Sequence, residues 1–358
     1  MQHSAPIEKK RTKRKQIHQN FVTLQLEKKT TEHMEQKNEL QLFRMRSNRG
    51  AIADGYRLFL SNFRPLLRAT WIVAVVYALI TAIFTKCYIT LLPQLLIMRM
   101  QRLATYDMGW LIGAMTPFLV TFFLLMLASV ALLGGGFAAF REHAVSNNIS
   151  RPAHWYGSME IKTVLRLLLV LLAITLLTMI PSFLTGIVIA VGRMYLGTLA
   201  TKLLAGLLWL LSFVAYLPVA YPFYQYMLTP NARLWPTLAA GYRTGLRHWG
   251  ALFVVTLITS IITAVLSSLA ELPAIILGMA NLNSQLGTLL GDPAGMPDYM
   301  GWMTTVVFTI AGFIMAYVNL SALFPFYYLY GSVETREEER RKMVSEGKTT
   351  TDYSNDYK

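Results

Sequence analysis

Arg247–Glu271 reads RHWGALFVVTLITSIITAVLSSLAE. The 23 residues between its two ends contain no Asp, Glu, Lys or Arg. A helix rises about 1.5 Å per residue, so the stretch covers roughly 34 Å, against a hydrocarbon core of about 30 Å. It reads as a membrane span. Five further stretches read the same way: Ala69–Pro93, part of Met108–Phe140, Leu167–Gly192, Leu203–Ala232 and Tyr299–Val333. The predicted fold is therefore all-α, a polytopic membrane protein with six transmembrane helices. Prolines interrupt several of these stretches, among them Pro181, Pro218, Pro222 and Pro325. Membrane helices tolerate proline as a kink when neighbours satisfy the freed carbonyls.

Composition agrees with that class. The chain is 54% hydrophobic and 15% charged, where a soluble domain carries about 25% charged residues. The net charge of +14 would suit nucleic acid or anionic lipid, and its placement decides between them. Basic residues crowd the two tails and alternate loops. Arg57, Arg64 and Arg68 precede the first span, Arg141, Arg151, Lys162 and Arg166 follow the second, and Arg233, Arg243 and Arg247 follow the fourth. The loop after the fifth span carries Asp292 and Asp298 and no Lys or Arg. By the positive-inside rule both termini are expected in the cytoplasm.

The chain divides into three predicted regions: a basic, largely disordered tail over 1–49, a six-span domain over 50–332 and a charged tail over 333–358. The first fifty residues hold 12 Lys and Arg against 5 acids, with too few apolar residues for a core. No apolar run follows the basic cluster Lys9–Lys15, so a signal peptide is not expected. The tail sets topology or attaches to an anionic leaflet. It lacks the aromatic interleaving of a nucleic-acid platform, and nucleic acid is not an expected partner.

An internal echo organises the six spans. Ala53-Asp54-Gly55-Tyr56-Arg57 precedes the first span and Ala239-Ala240-Gly241-Tyr242-Arg243 precedes the fifth. In the same register Asn62-Phe63 matches His248-Trp249. Pro222-Phe223-Tyr224 and Pro325-Phe326-Tyr327 close the fourth and sixth spans. These matches predict three units, each a short amphipathic helix ahead of a two-span hairpin. Leu234, Leu238, Tyr242 and Leu246 lie four apart, on one helical face. Such helices lie in the interface plane. Arg57, Arg64, Arg243 and Arg247 are then candidate contacts for lipid headgroups. Trp155, Tyr156 and Met159 hold the equivalent place in the middle unit.

This layout, with Gly55-Tyr56-Arg57 and Asn62-Phe63, resembles a group of bacterial six-span integral membrane proteins. The group includes the membrane domain fused to some glycerophosphodiester phosphodiesterases, and the resemblance covers residues 50–332. It implies a bacterial inner-membrane location and no particular substrate. The soluble phosphodiesterase domain of the fused members has no counterpart here, so the resemblance implies no such activity.

Chemistry-bearing motifs are sparse, and no catalytic, cofactor or metal residues are assigned. No histidine pairs with glutamate as His-Glu-x-x-His. His143, His154 and His248 share the expected cytoplasmic side and read as solvated interfacial residues. The single Cys87 excludes an intramolecular disulfide. Glu337-Glu338-Glu339-Arg340-Arg341 reads as a solvated helix end. Lys86 and Glu271 interrupt apolar sequence. They are candidate functional charges, or residues that snorkel near the outer interface or pair with each other. The expected function is a non-enzymatic membrane protein that binds lipid or a membrane partner in envelope organisation. The alternative is a transporter or permease component for an uncharged or amphiphilic solute.

Overall fold

The computed structural model describes residues 41–100, 108–147, 149, 161–195, 197–229, 232–291 and 297–346. Its described residues form helices and no strand. In chain order they are α1 (Asn48–Ser61), α2 (Phe63–Met100), α3 (Met108–Ser146), α4 (Ile161–Tyr195), α5 (Gly197–Tyr216), a 3₁₀ turn (Leu217–Val219), α6 (Ala220–Leu228), α7 (Leu234–Arg247), α8 (Trp249–Leu289) and α9 (Asp298–Ser345). Six helical runs are long and apolar enough to cross a membrane. They are α2, α3, α4, α5 continued through the turn into α6, α8 and α9. The pairs α2 with α3, α4 with α5, and α8 with α9 pack as hairpins, and α9 also packs along α2. Trp155, Tyr156 and Met159 lie outside the described residues.

The two surface helices sit in one register. α1 and α7 are each 14 residues long, offset by 186 positions (48 to 234, and 61 to 247). Each ends on one residue bent out of helical geometry, Asn62 at φ −109°, ψ 16° and His248 at φ −101°, ψ 23°. The next residue starts a spanning helix. Ser47 opens α1 by accepting a hydrogen bond from the Gly50 N–H at 3.1 Å, which satisfies one of the free amides of the first turn.

Glycine sets how both surface helices dock. A Cβ on Gly55 would stand 2.6 Å from the Pro325 nitrogen, and a Cβ on Gly241 would stand 2.6 Å from the Pro222 Cβ. The repeated Gly-Tyr-Arg segments thus rest on the repeated Pro-Phe-Tyr segments: α1 on α9, and α7 on α6. The tyrosines diverge. Tyr242 donates to the Ala215 carbonyl at 3.1 Å, whereas the Tyr56 phenol faces Thr259 and Thr263 of α8.

Prolines shape the fourth span. Pro218 and Pro222 offer no N–H, and the helix tightens to a 3₁₀ turn at Leu217–Val219. Pro218 releases the carbonyl four residues back, that of Val214. Trp249 Nε1 donates to that carbonyl at 3.4 Å. The start of α8 therefore covers the break in α5.

At this end of the bundle three side-chain bonds close a ring around α3, α6 and α9. Arg141 of α3 donates to the Met227 carbonyl at 2.7 Å, Tyr224 of α6 to the Leu323 carbonyl at 2.8 Å, and Tyr327 of α9 to the Phe140 carbonyl at 3.1 Å. Phe137, Phe140, Phe324 and Tyr327 fill the centre, each fully buried, with Phe140 stacked on Tyr327 at 4.4 Å between centroids.

Several expectations change here. The compact unit starts at Phe43. The reason is Arg46, whose N–H donates to Ser332 Oγ at 3.0 Å, whose Nε meets Asp54 at 2.8 Å, and whose guanidinium lies 4.4 Å from the Tyr328 ring centre. The segment expected as a solvated tail from residue 333 continues α9 to Ser345, with Val333 and Glu337 buried. His143 is also buried, 1% exposed, because Tyr327 and Tyr328 enclose its ring. Tyr327 gives its proton to Phe140, so His143 Nδ1 must be the donor in their 3.0 Å contact.

Candidate functional site

Polar groups on α2, α8 and α9 converge on one cavity of about 510 Å³. From α2 come Tyr77, Thr81, Thr85 and Tyr88, which recur at three- and four-residue spacing and so share a helical face. From α9 comes Asn319, beside Phe308 and Gly312. From α8 comes Glu271. The floor is apolar: Ile89, Ala274, Phe308 and Ala311 line it and pack with Ala82 into one buried cluster. Small residues let α2 and α9 meet there: a Cβ on Gly312 would lie 3.2 Å from Ala78 Cα, and Ala74, Ala78 and Ala82 are wholly buried. The rim is open on one side. Tyr88, Ile275 and Met279 stand about half-exposed, and two of the three are aliphatic.

Glu271 is the sole charged residue between Trp249 and Leu289. Its carboxylate lies within electrostatic reach of the Tyr77 phenol, which also faces Thr81 and Asn319. Lys86 does not neutralise it. Although Thr85 lines the cavity, the neighbouring Lys86 Nζ donates to Thr305 Oγ1 at 2.9 Å and lies 3.4 Å from the Gly301 carbonyl, both on α9. Among the described residues no ion pair joins Lys86 to Glu271. Neither residue ends its helix: α2 runs on to Met100 and α8 to Leu289.

A second constellation lies at the end of the bundle that carries α1 and α7. Glu337 of α9 has a side chain only 5% exposed. It accepts from Arg247 at 3.1 Å, from His248 Nε2 at 3.0 Å and from Arg340 at 3.2 Å. One turn earlier, Tyr221 donates to Glu334. The carboxylate therefore clamps the bend between α7 and α8 to the continuation of α9. Burial corrects the reading of Glu337 as part of a solvated helix end.

Compared with family models, curated proteins and solved structures, the chain matches none.

The six candidate residues separate. Glu271 lines the cavity, while Lys86 lies beside it and is engaged elsewhere. Arg247 joins the Glu337 cluster with 45% of its side chain exposed. Arg57, Arg64 and Arg243 are exposed on or beside the surface helices. Tyr56 shares its helix with Arg57 but points inward. Among the described residues its buried phenol oxygen meets no hydrogen-bond partner, and burial pushes the group above its ordinary value. The sequence reading missed Tyr77, Thr81, Asn319 and Glu337. The first two leave a signal, since hydroxyl residues four apart in an apolar helix mark one polar stripe. Asn319 leaves none, being a lone amide whose partners lie on another helix.

Proposed function

We propose that this protein is a non-enzymatic membrane protein that binds an amphiphilic molecule in the cavity between α2, α8 and α9. The observation that carries the reading is the cavity itself. Its volume of about 510 Å³ falls in the range of small-molecule sites, roughly 300–1,000 Å³. Its apolar rim suits entry from the bilayer, and Tyr77, Thr81, Asn319 and Glu271 inside it suit a polar head. The exposed Arg57, Arg64 and Arg243 suit lipid phosphates at the interface, where arginine binds bidentately. The protein then belongs in a bacterial inner membrane with both termini cytoplasmic, as the likeness to the six-span group implies. A role in envelope organisation would follow from holding lipid.

Native mass spectrometry of the purified protein tests this. One bound amphiphile is expected on the wild type and little on Ala274→Trp, which fills the floor of the cavity. Equal loading of both proteins overturns the reading. One observation favours a second reading, a transporter for an amphiphilic solute: a charged residue inside an apolar helix often marks a transport path. Protein-dependent flux in vesicles would select it over a static binding role.

A further inference from the structure

We infer that the ligand of this cavity is a compact lipophilic organic cation, an onium ion with an apolar body, with Glu271 as its counter-charge. The inference rests on the binding function proposed above and names its ligand class.

Three observations carry it. Glu271 lines the cavity as the one charge on α8, and among the described residues no cation pairs with it. Lys86, next in sequence to the lining residue Thr85, is engaged by Thr305 and Gly301 of α9. A carboxylate in an apolar setting is costly unless it meets a cation or a proton. The remaining polar lining is Tyr77, Thr81, Thr85, Tyr88 and Asn319. It supplies hydroxyls, an amide and two tyrosine rings, and among the described residues it supplies no Lys or Arg for an anionic head. Tyrosine faces attract cations, and more strongly where water is excluded. Size narrows the class further, because about 510 Å³ suits a drug-sized molecule.

Shape-matched probes of different charge separate the alternatives: tetraphenylphosphonium, tetraphenylborate and the neutral tetraphenylmethane. Binding is measured to the full chain in phosphatidylglycerol nanodiscs, with empty discs subtracted. The wild type should retain tetraphenylphosphonium at least about tenfold more tightly than either other probe, the scale of one solvent-screened charge pair and so a lower bound for this site. Glu271→Gln should erase that preference, and Glu271→Asp should restore part of it. Circular dichroism and gel filtration establish that each variant is folded. The wild-type comparison of the three probes needs no variant at all.

Equal binding of phosphonium and methane by the wild type overturns the cation while leaving the binding function standing. So does a phosphonium preference unchanged in Glu271→Gln. Failure of every probe, together with no amphiphile in the native mass spectrum, overturns both. Release of phosphatidylethanolamine, but not of phosphatidylglycerol, by phosphonium would assign the cation to a lipid headgroup and refute the compact ligand.

Discussion

Glu337 holds Arg247, His248 and Arg340 with one carboxylate, and removing it leaves three donors facing a site of low solvent access. A hydrogen bond to a charged group contributes about 1.5–3 kcal/mol, and breaking a buried ion pair costs more. Arg247 is nearly half exposed and can turn to water, which lowers the cost. Glu337→Ala should therefore destabilise the protein by about 2–3 kcal/mol, read as a lower midpoint in thermal unfolding in detergent. The exposed neighbour Glu338 is the control, and Glu338→Ala should change the midpoint little. Equal effects at both positions would mean that the cluster is not the clamp described here. The run Glu337–Arg341 could not reveal this contrast. Its letters are those of a solvated helix end, and burial comes from Arg247 and His248, about ninety positions away. His143 was misread for the same reason, since the rings that enclose it belong to α9.

Elements pack here through the repeat. Gly55 and Gly241 sit where a side chain would strike Pro325 or Pro222, whose rings and fixed φ leave little room to yield. Overpacking of this kind costs about 1–3 kcal/mol. Gly55→Ala and Gly241→Ala should each lower the unfolding midpoint, because α1 or α7 must lift from its proline. At Gly186 in α4 an added Cβ meets nothing within 4 Å, and alanine is the better helix former by about 1 kcal/mol. Gly186→Ala should therefore be neutral or stabilising. A destabilised Gly186→Ala beside an unaffected Gly55→Ala would refute this account of docking. The sequence echo showed that two Gly-Tyr-Arg segments and two Pro-Phe-Tyr segments exist and share a register. It could not show that they are each other's partners, because Gly55 and Pro325 stand at opposite ends of the chain. Nor did it show the divergence of Tyr56 from Tyr242. That difference follows from neighbours: α1 also packs on α8, which gives Tyr56 a second helix to enter, while Tyr242 reaches the Ala215 carbonyl just ahead of the Pro218 break.

The whole molecule brings its described ends together. Arg46 and Ser332 exchange hydrogen bonds of 3.0 and 3.1 Å, and Arg336 reaches the Arg46 carbonyl at 2.6 Å. The chain thus enters and leaves the bundle at one end, as six crossings require. That end also carries Arg57, Arg64, Arg141, Arg166, Arg243 and Arg247, while the connection between α8 and α9 carries Asp292 and no basic residue. Lysine and arginine in short loops resist translocation, so the expected orientation places the Arg46–Ser332 end in the cytoplasm. Alkaline phosphatase folds to an active form only after export. A fusion made between α8 and α9 should therefore be active and a fusion after Ser345 inactive, with similar amounts of fusion protein in the membrane. Adding four lysines near Asp292 should depress the first signal, because the charge bias that sets the orientation would be weakened at its most acidic loop. Activity after Ser345 without activity at the α8–α9 connection would invert the molecule. Arg57, Arg64 and Arg243 would then face the outer surface, and their proposed contacts with cytoplasmic-leaflet phosphates would fall with the topology. The cavity beside Glu271 would remain, since its geometry belongs to α2, α8 and α9 whichever way the bundle points.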